Sequence, residues 1–408
     1  MRSAQALFSP MEVLLQCYVD DPLALLSGDE ATRRTNAAVL LLWWRALGPG
    51  ISWGKVEAGR SVNWIGATLA LSELDADVVE ASLPPAFTEE LRQEVAAKRA
   101  KPMVMVDDLR RMAGKGSWAA NVGPTLRNFL QPLWKVIGDV DRANRAQPSS
   151  AKGKEAKRRL GKKGGTFVET RRVHTALDWL NALLSKGQRS TLKRSVNWKV
   201  ELSEPSLVIT CDASPWGLGA VLSTPSGLPL AWLSSEVTEQ DAKRLGIKRG
   251  EAAGQAVLEA LAILVAVRQW ASVWAKAKAR VHVRSDSMAA LGALGKVSSP
   301  VPSINSIARE IAIDVTLSDD GLEPMSWGHV AGVLNEWADA LSRLHAPDAK
   351  EVPVRLAAFE PEVVPERDGA WWRASRGTAC LEKRVARGVR QGCRRRAAAG
   401  ELESPAAE

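Results

Sequence analysis

The chain has 408 residues, of which 46% are hydrophobic and 25% charged, and this composition excludes a protein that is disordered throughout. Lys and Arg number 55 against 46 Asp and Glu, and the resulting formal net charge of +9 favours a polyanionic partner such as nucleic acid. Four scattered cysteines exclude a disulfide framework, and the longest apolar runs are shorter than a membrane span, so we expect a soluble, intracellular protein with no membrane partner.

The first 75 residues predict one part of a larger domain. Two apolar runs, Val13 to Cys17 and Leu23 to Leu26, flank a turn that carries the adjacent acids Asp20 and Asp21. A helical stretch from Thr32 to Leu47 follows. An Asp-Asp-Pro sequence by itself is usually only a turn.

The middle of the chain combines helices with a basic segment. Residues 106 to 140 predict helices separated by glycines. Residues 151 to 165 hold seven Lys or Arg against one Glu, which is typical of a solvated linker. Lys162 and Lys163 lie in this segment and are candidates for contacts with nucleic-acid phosphates, although a plain solvated linker explains them equally well.

From Leu207 onward the pattern predicts a sheet covered by helices. Three short strand-like runs come first, separated by Ser, Pro and Gly as in an antiparallel meander. A long helix from Gln255 to Trp274, a strand that ends at Asp286, two more helices, another strand and a last helix capped by Asn335 follow. From about residue 346 the sequence is rich in Pro, Arg and Ala, and we expect a basic, disordered tail.

Four carboxylates interrupt or end these apolar elements. Hydrolysis of a phosphodiester with two divalent ions needs several carboxylates that converge on the metals, because hard cations prefer oxygen ligands. A single acid at a strand end or on a helix is more often a turn, cap or surface residue. The joint occurrence of four acids on successive elements favours a metal site, and the candidate catalytic and metal-binding residues are Asp212, Glu259, Asp286 and Asp339.

The segments that carry these acids resemble a known family. CDASPWGLGAVLS, LEALAILVAVRQW, VRSDSMAAL and HVAGVLNEWADALSR, all within residues 205 to 345, are similar to the four acidic motifs of the ribonuclease H domain that follows the polymerase in retrotransposon reverse transcriptases. The resemblance implies an α/β fold, a ribonuclease H-like mixed sheet with three antiparallel strands first, flanking helices and Asp212 at the centre. It also implies that the four acids bind Mg²⁺, with Mn²⁺ as a substitute, and that the substrate is the RNA strand of an RNA-DNA hybrid.

Other residues near the motifs are interpreted through the same resemblance. Gly217 and Gly219 would keep the first hairpin thin where substrate passes, although strand glycines need no such role. Trp216 is a nucleic-acid-binding candidate that could stack on a sugar or base, but a tryptophan near a strand is more often core. Cellular members carry a mobile histidine where this chain has Gly332, which implies slower product release, and His329 aligns with a structural position.

The front of the chain resembles the end of a reverse-transcriptase polymerase domain. Residues 18 to 21, which begin with Tyr18, spell the polymerase motif YVDD, and GISWGK resembles the segment whose lysine, here Lys55, faces the incoming triphosphate. VNWIGATL, in a strand-like stretch from 61 to 71, resembles the primer grip, with Trp64 and Gly66 as contacts to nucleic acid. These residues are candidates for a polymerase remnant.

Polymerisation also needs an acid on an upstream strand that anchors both metals. Only nineteen residues precede Asp20, so we expect no RNA-directed DNA polymerase activity from this chain alone, and a partner chain or polyprotein would have to supply the missing part. The expected segments are a partial palm (1 to 75), a helical thumb and connection (76 to 150), a basic linker with a connecting helix (151 to 204), the ribonuclease H-like domain (205 to 345) and the tail (346 to 408).

The sequence is therefore compatible with two functions. One is a retroelement-derived ribonuclease H that uses two metal ions within a truncated reverse transcriptase. The alternative is a catalytically inactive remnant of a retroelement that only binds nucleic acid. Cleavage of a labelled hybrid with and without magnesium separates the two functions.

Overall fold

A computed structural model gives the fold of most of the chain. It describes residues 8, 12–48, 50–73, 78–145, 167–185, 192–197, 206–277, 281–317, 325–349 and 351–378. Lys162 and Lys163, with the whole basic segment from 151 to 165, lie outside the described residues. The chain divides into two compact units, one of residues 1–87 with 193–203 and the other of residues 88–192 with 204–408.

The described residues form thirteen strands and ten α-helices. The strands are β1 Val13–Tyr18, β2 Asp21–Leu26, β3 Ser61–Trp64, β4 Ala67–Leu71, β5 Val78–Ser82, β6 Met103–Met105, β7 Phe167–Glu169, β8 Lys193–Asn197, β9 Leu207–Ala213, β10 Gly217–Ser223, β11 Pro229–Glu236, β12 Val281–Ser285 and β13 Met325–His329. The helices are α1 Glu30–Leu47, α2 Pro85–Arg99, α3 Val106–Ala119, α4 Leu126–Arg145, α5 His174–Leu183, α6 Glu239–Leu245, α7 Gln255–Ala277, α8 Met288–Gly295, α9 Pro302–Leu317 and α10 Glu336–Ser342.

The first unit contains a hairpin, a helix and a small sheet. β1 and β2 pair antiparallel, and β3, β4, β5 and β8 form an antiparallel sheet in that order. α1 starts at an Asp29 N-cap, whose side chain accepts a hydrogen bond from Thr32 N, and it ends at Gly48, which has a left-handed φ of 90°. The strand-like stretch from 61 to 71 is thus the hairpin of β3 and β4, turned at Ile65 and Gly66, both with positive φ.

The second unit opens with packed helices. α3 and α4 pack closely at Gly116, where a Cβ would lie 2.6 Å from a Leu130 methyl. β6 and β7 pair antiparallel, so the short strand before α3 is joined to the segment that leads into α5. Phe129 and Trp179 stack with ring centroids 5.0 Å apart, which ties α4 to α5.

The rest of the second unit is built on a five-stranded sheet with the order β11, β10, β9, β12, β13. The first three strands in sequence are antiparallel, whereas β12 runs parallel to β9 and β13 parallel to β12. The apolar side chains of α7 cover the sheet in one core. This is the ribonuclease H-like mixed sheet that the sequence predicted, with β9 at its centre, so the predicted fold class is confirmed for this domain.

The residues after 346 differ from the expected disordered tail. Residues 351–378 pack on the sheet domain: Leu356 is fully buried, and Trp372 belongs to the same core as Ile209. The expectation was wrong for this stretch because its Pro- and Arg-rich composition conceals individual anchors that only find partners in the folded domain. Residues 379 to 408 lie outside the described part.

Two charged anchors hold this C-terminal segment. Arg367 Nη2 donates to Asp241 Oδ2 at 2.7 Å, and both side chains are almost completely buried. Glu310, also fully buried, accepts hydrogen bonds from the backbone N–H groups of Arg373 and Ala374, each at 2.8 Å. A charged group is tolerated in a core only when it is paired in this way.

Among the described residues, one helical stretch, Ala252–Val273, is long and apolar enough to cross a membrane by length and composition. Two thirds of its most apolar window is buried inside the protein, where α7 forms the core of the sheet domain. A buried core helix accounts for this composition.

Candidate active site

Three of the four predicted acids converge at one edge of the central strands. Asp212 is near the end of β9, Glu259 lies in the second turn of α7, and Asp286 directly follows β12. One carboxylate oxygen from each lies within 4.8 Å of the others. Since β9 and β12 are parallel neighbours, their carboxyl ends share this edge, and α7 places Glu259 against it. Hard divalent cations such as Mg²⁺ bind sets of carboxylate oxygens, so this donor set fits the predicted metal.

Asp212 is held on both oxygens by side chains at the two ends of α10, the N-cap residue Asn335 and the last residue Ser342. Ser342 Oγ donates to Asp212 Oδ2 at 2.7 Å, and Asn335 Nδ2 donates to Asp212 Oδ1 at 3.3 Å and to Cys211 O at 3.1 Å. Asn335 occupies the predicted N-cap position of α10, but its side chain makes no capping bond. The sequence analysis thus placed Asn335 correctly and missed that its amide orients Asp212.

Glu259 has a similar shell of donors. Gln255 Nε2 donates to Glu259 Oε1 at 2.8 Å, the Ala213 backbone N–H reaches the same oxygen at 3.3 Å, and Ser285 Oγ reaches Oε2 at 3.4 Å. Gln255 Nε2 also donates to the carbonyl of Ala213, which fixes the helix start to β9. Gln255 precedes Glu259 by four residues, one helical turn, and that spacing is the sequence signal that could have identified it.

The group of acids is electrostatically strained. Burial raises the pKa of Asp212 to about 7, and the charges of Asp286 and Asp339 act in the same direction, against the Ser342 hydrogen bond. Burial also raises the pKa of Glu259 to about 8, with the charge of Asp212 as the next cause. Like charges at short range disfavour ionisation, so a cation bound among these oxygens would stabilise the charged forms.

The fourth acid stands apart from the group of three. Asp339 lies on α10, and its Oδ1 accepts a hydrogen bond from Arg343 Nε at 2.7 Å. Its charge still raises the pKa of Asp212, so it belongs to the same electrostatic environment. The structure therefore brings Asp212, Glu259 and Asp286 together and leaves Asp339 beside them in an ion pair.

The loop before α10 borders the acids. A Cβ on Gly332 would lie 3.6 Å from Asp286 Oδ2, so this position is next to the site. The two residues that follow, Val333 and Leu334, are exposed by 78% and 76%. His329, at the end of β13, is exposed.

The two glycines of β10 have a packing role that the sequence analysis did not identify. A Cβ on Gly219 would lie 2.3 Å from the Ala338 carbonyl oxygen, and one on Gly217 would lie 2.6 Å from that of Ser342. A side chain at either position would push α10 away from the sheet. These glycines therefore admit the backbone of α10, which carries Ser342, a donor to Asp212.

Trp216 is half-buried beside the turn that precedes α7. A Cβ on Gly250 would lie 2.8 Å from its ring, and the Arg249 guanidinium lies 5.3 Å from the ring centroid. The ring is thus partly covered by its own domain, which fits the packing interpretation better than the stacking one.

The polymerase-like residues all lie in the first unit, and one of them, Trp64, contacts the β1–β2 hairpin. Asp20 is in the turn after Val19, which has a φ of 56°, and Tyr18 is 59% exposed. Trp64 Nε1 donates to the carbonyl of Asp21 at 3.0 Å, so the primer-grip candidate contacts the YVDD hairpin. Gly66 is in the turn after Trp64, and Lys55 is exposed in a short 3₁₀ turn, Trp53–Lys55. Within the described residues, neither Asp20 nor Asp21 belongs to a group of three metal-ligating side chains.

Comparisons with known proteins give weak similarities. The chain covers 93% of a ribonuclease H1, LC11, isolated from compost by a metagenomic approach; that match spans 34% of this chain with 19% identity and a TM-score of 0.26. A foamy viral protease-reverse transcriptase in complex with an RNA/DNA hybrid matches 86% of this chain at 15% identity, with a TM-score of 0.30. Another structure of that viral protein, with double-stranded DNA, matches 78% at 16% identity and the same TM-score.

The chain spans 38% and 46% of the length of those two viral chains. No protein-family model and no curated protein matches it. The case for a function therefore depends on the geometry of the acids themselves.

Proposed function

We propose that residues 205 to 345 form a Mg²⁺-dependent ribonuclease H that hydrolyses the RNA strand of RNA-DNA hybrids, Mn²⁺ being able to substitute. The observation that carries the proposal is the meeting of Asp212, Glu259 and Asp286 within 4.8 Å, two of them buried and all at the carboxyl edge of neighbouring strands. Buried carboxylates that repel one another are costly unless a cation is bound, and such perturbed acids cluster at functional sites.

In this proposal the four acids would hold the ions, and bound Mg²⁺ would supply Lewis acidity and an activated water as nucleophile. The role of the surrounding residues is to orient the acids. Ser342 and Asn335 fix Asp212, Gln255 fixes Glu259, and no side chain becomes covalently bound to substrate. Asp339 would leave Arg343 to join the other acids, which gives the fourth acid its role.

The proposed context is the C-terminal part of a retrotransposon reverse transcriptase. The segments are a partial palm at 1 to 75, a thumb and connection at 76 to 150 and a linker at 151 to 204, followed by the nuclease. Support comes from the contact of Trp64 with the Asp21 carbonyl, which joins two separately predicted motifs. In this proposal the full chain alone does not polymerise DNA, because Asp20 and Asp21 lack a third acid within the described residues.

The test is cleavage of an RNA-DNA hybrid labelled on the RNA strand, with Mg²⁺ and with chelator. We expect Mg²⁺-dependent endonucleolytic products, and Asp212→Asn should lower the rate by about 1,000-fold or more, equal to roughly 4 kcal/mol of transition-state stabilisation. Asp107→Asn removes an exposed acid on α3 and is the matched control, expected to cleave normally. Circular dichroism of both variants checks that the fold is kept. Wild-type cleavage by Asp212→Asn would refute the site.

The second candidate is an inactive remnant that only binds nucleic acid. The observation in its favour is that Asp339 pairs with Arg343 and is not one of the three acids whose oxygens lie within 4.8 Å of one another. Hybrid binding without cleavage at any Mg²⁺ or Mn²⁺ concentration, in wild type and in Arg343→Gln, would establish this function.

A further inference from the structure

A cavity of about 200 Å³ lies in the second unit between the packed helices and the sheet domain. α4, α5, the turn that precedes α5 and α9 form its walls. Five lining residues are apolar or aromatic, Thr175 is exposed at its edge, and the two charged residues are Arg172 and Arg309. The lining therefore contains two guanidinium groups and no carboxylate.

Arg309 carries a charge that the described part of the chain leaves without an anionic partner. Its Nε donates to Asn128 Oδ1 at 3.1 Å, and Asn128 is fixed by two hydrogen bonds from its own amide nitrogen to Asn305. No described carboxylate is within ion-pair distance of the Arg309 guanidinium. The neighbouring Glu310 is bound to Arg268 at 2.6 Å and to backbone N–H groups.

Burial acts against this charge. It lowers the pKa of Arg309 from the ordinary arginine value, even though the charge of Glu310 acts in the opposite direction. The Phe129 ring lies 5.9 Å from the guanidinium and offers only a weak cation–π contact at that distance. Arg309 is half-buried. A partly desolvated cation without a carboxylate partner is unfavourable, and an anionic ligand would compensate its charge.

Arg172 adds a second charge that is only partly neutralised. Its Nη2 is 3.5 Å from Asp139 Oδ2, a long contact, and Asp139 Oδ1 is also bound by Arg142 at 2.6 Å. One carboxylate thus serves two arginines. The cavity keeps an excess of positive charge on two walls, one from the turn before α5 and one from α9.

We propose that this cavity binds the phosphate group of a phosphate monoester, with Arg309 and Arg172 as its ligands. Guanidinium groups recognise phosphate through paired N–H donors, and fixing Nε on Asn128 leaves the Nη edge of Arg309 available for this contact. The volume is smaller than the roughly 300 to 1,000 Å³ of sites for drug-sized ligands, so the phosphate and the sugar carbons next to it fill it. Pro132, Val173 and Ala176 provide apolar walls for those carbons.

The test uses the full chain and inorganic phosphate, with melting temperature measured in phosphate and in chloride at equal ionic strength. We expect phosphate to stabilise the wild type and Arg355→Gln, which removes an exposed arginine of the same unit. Arg309→Gln should lose about tenfold or more in phosphate affinity, because a charge-assisted hydrogen bond is lost. Arg172→Gln, at a half-buried position, is the second variant if Arg309→Gln does not fold.

Two further binding experiments, one with oligonucleotides and one with small phosphate compounds, identify the source of the phosphate. An oligonucleotide with a 5′-phosphate that binds more tightly than the same strand with a 5′-hydroxyl, with the difference lost in Arg309→Gln, assigns the site to a strand end. A response to inorganic phosphate and nucleoside monophosphate alone assigns it to a small ester. No stabilisation by phosphate, or equal stabilisation of all variants as expected from a general salt effect, overturns the proposal.

Discussion

The acidic edge of the sheet domain and the β1–β2 hairpin both present adjacent carboxylates, but these carboxylates differ in burial and in hydrogen bonding. Asp212 and Glu259 are 6% and 4% exposed, repel each other and are fixed by five donors, which come from β9, α7, β12 and the two ends of α10. Asp20, in the turn, and Asp21, at the start of β2, are both exposed, and Trp64 donates only to the backbone carbonyl of Asp21. Carboxylates that are buried and held by hydrogen-bond donors form a candidate cation site. An acidic sequence motif on an exposed turn supplies negative charge, but its side chains are not held in place.

The largest expected difference is in DNA polymerisation, the reaction for which the hairpin acids would be needed. The purified full chain should give no template-dependent primer extension on an RNA template with Mg²⁺ and all four triphosphates, because two acids on one hairpin cannot hold both ions without a third. The measurement is a primer-extension gel, beside a hybrid-cleavage assay on the same preparation. Extension that Asp20→Asn abolishes would show that another acid completes this site and would remove the contrast.

The second prediction concerns the scaffold of the acidic edge. Truncation after residue 348 should lower stability by several kcal/mol. It breaks the buried pair of Arg367 with Asp241, at a cost of about 3 to 5 kcal/mol, and it removes the two backbone N–H donors of Glu310, which keeps Arg268. Truncation after residue 378 removes only residues outside the described part and is the control. Calorimetric melting should show a loss of about 10 °C or more for the first truncation. Equal melting temperatures would mean that the C-terminal segment is dispensable.

The third prediction tests how Asp212 is oriented. Ser342→Ala should lower hybrid cleavage about tenfold and raise the Mg²⁺ concentration for half-maximal rate, because the Asp212 oxygen loses its 2.7 Å donor. The KM for hybrid should stay unchanged, which a general loss of structure would not produce. Ser226→Ala, in the exposed turn between β10 and β11, is the matched control. An unchanged Mg²⁺ dependence would remove Ser342 from the site.

The smallest expected effect is on pH dependence. The pKa values of about 7 for Asp212 and about 8 for Glu259 lie above those of unfolded Asp and Glu, so the folded protein holds extra protons. Without metal, stability should therefore fall as pH rises from about 4 to 8. Mg²⁺ replaces those protons, so Mg²⁺ should raise the melting temperature more at pH 8.5 than at pH 6. Each kcal/mol by which its stabilisation differs between the two pH values should appear as about 2 to 4 °C in melting temperature. A Mg²⁺-induced shift in melting temperature that is the same at both pH values would contradict the raised pKa values.

The sheet and the positions of the acids were predictable because their signals are local. Short strand-like runs separated by Ser, Pro and Gly placed β9 to β11, and an acid inside an apolar helix marked Glu259. The packing of residues 351–378 was not predictable, since the partners of Arg367 and Trp372, which are Asp241 and a core that includes Ile209, lie more than one hundred positions away in the sequence.

The sequence by itself determined the order of strands and helices, because periodicity and turn residues act over a few positions, and it identified the four acids through their motifs. Tertiary structure alone decided which acids meet, because this depends on how β9, α7 and β12 pack, and why Gly217 and Gly219 are needed, because this depends on where α10 docks. The same applies to Arg309: its half-buried position, without an anionic partner among the described residues, exists only because α9 packs beside α4.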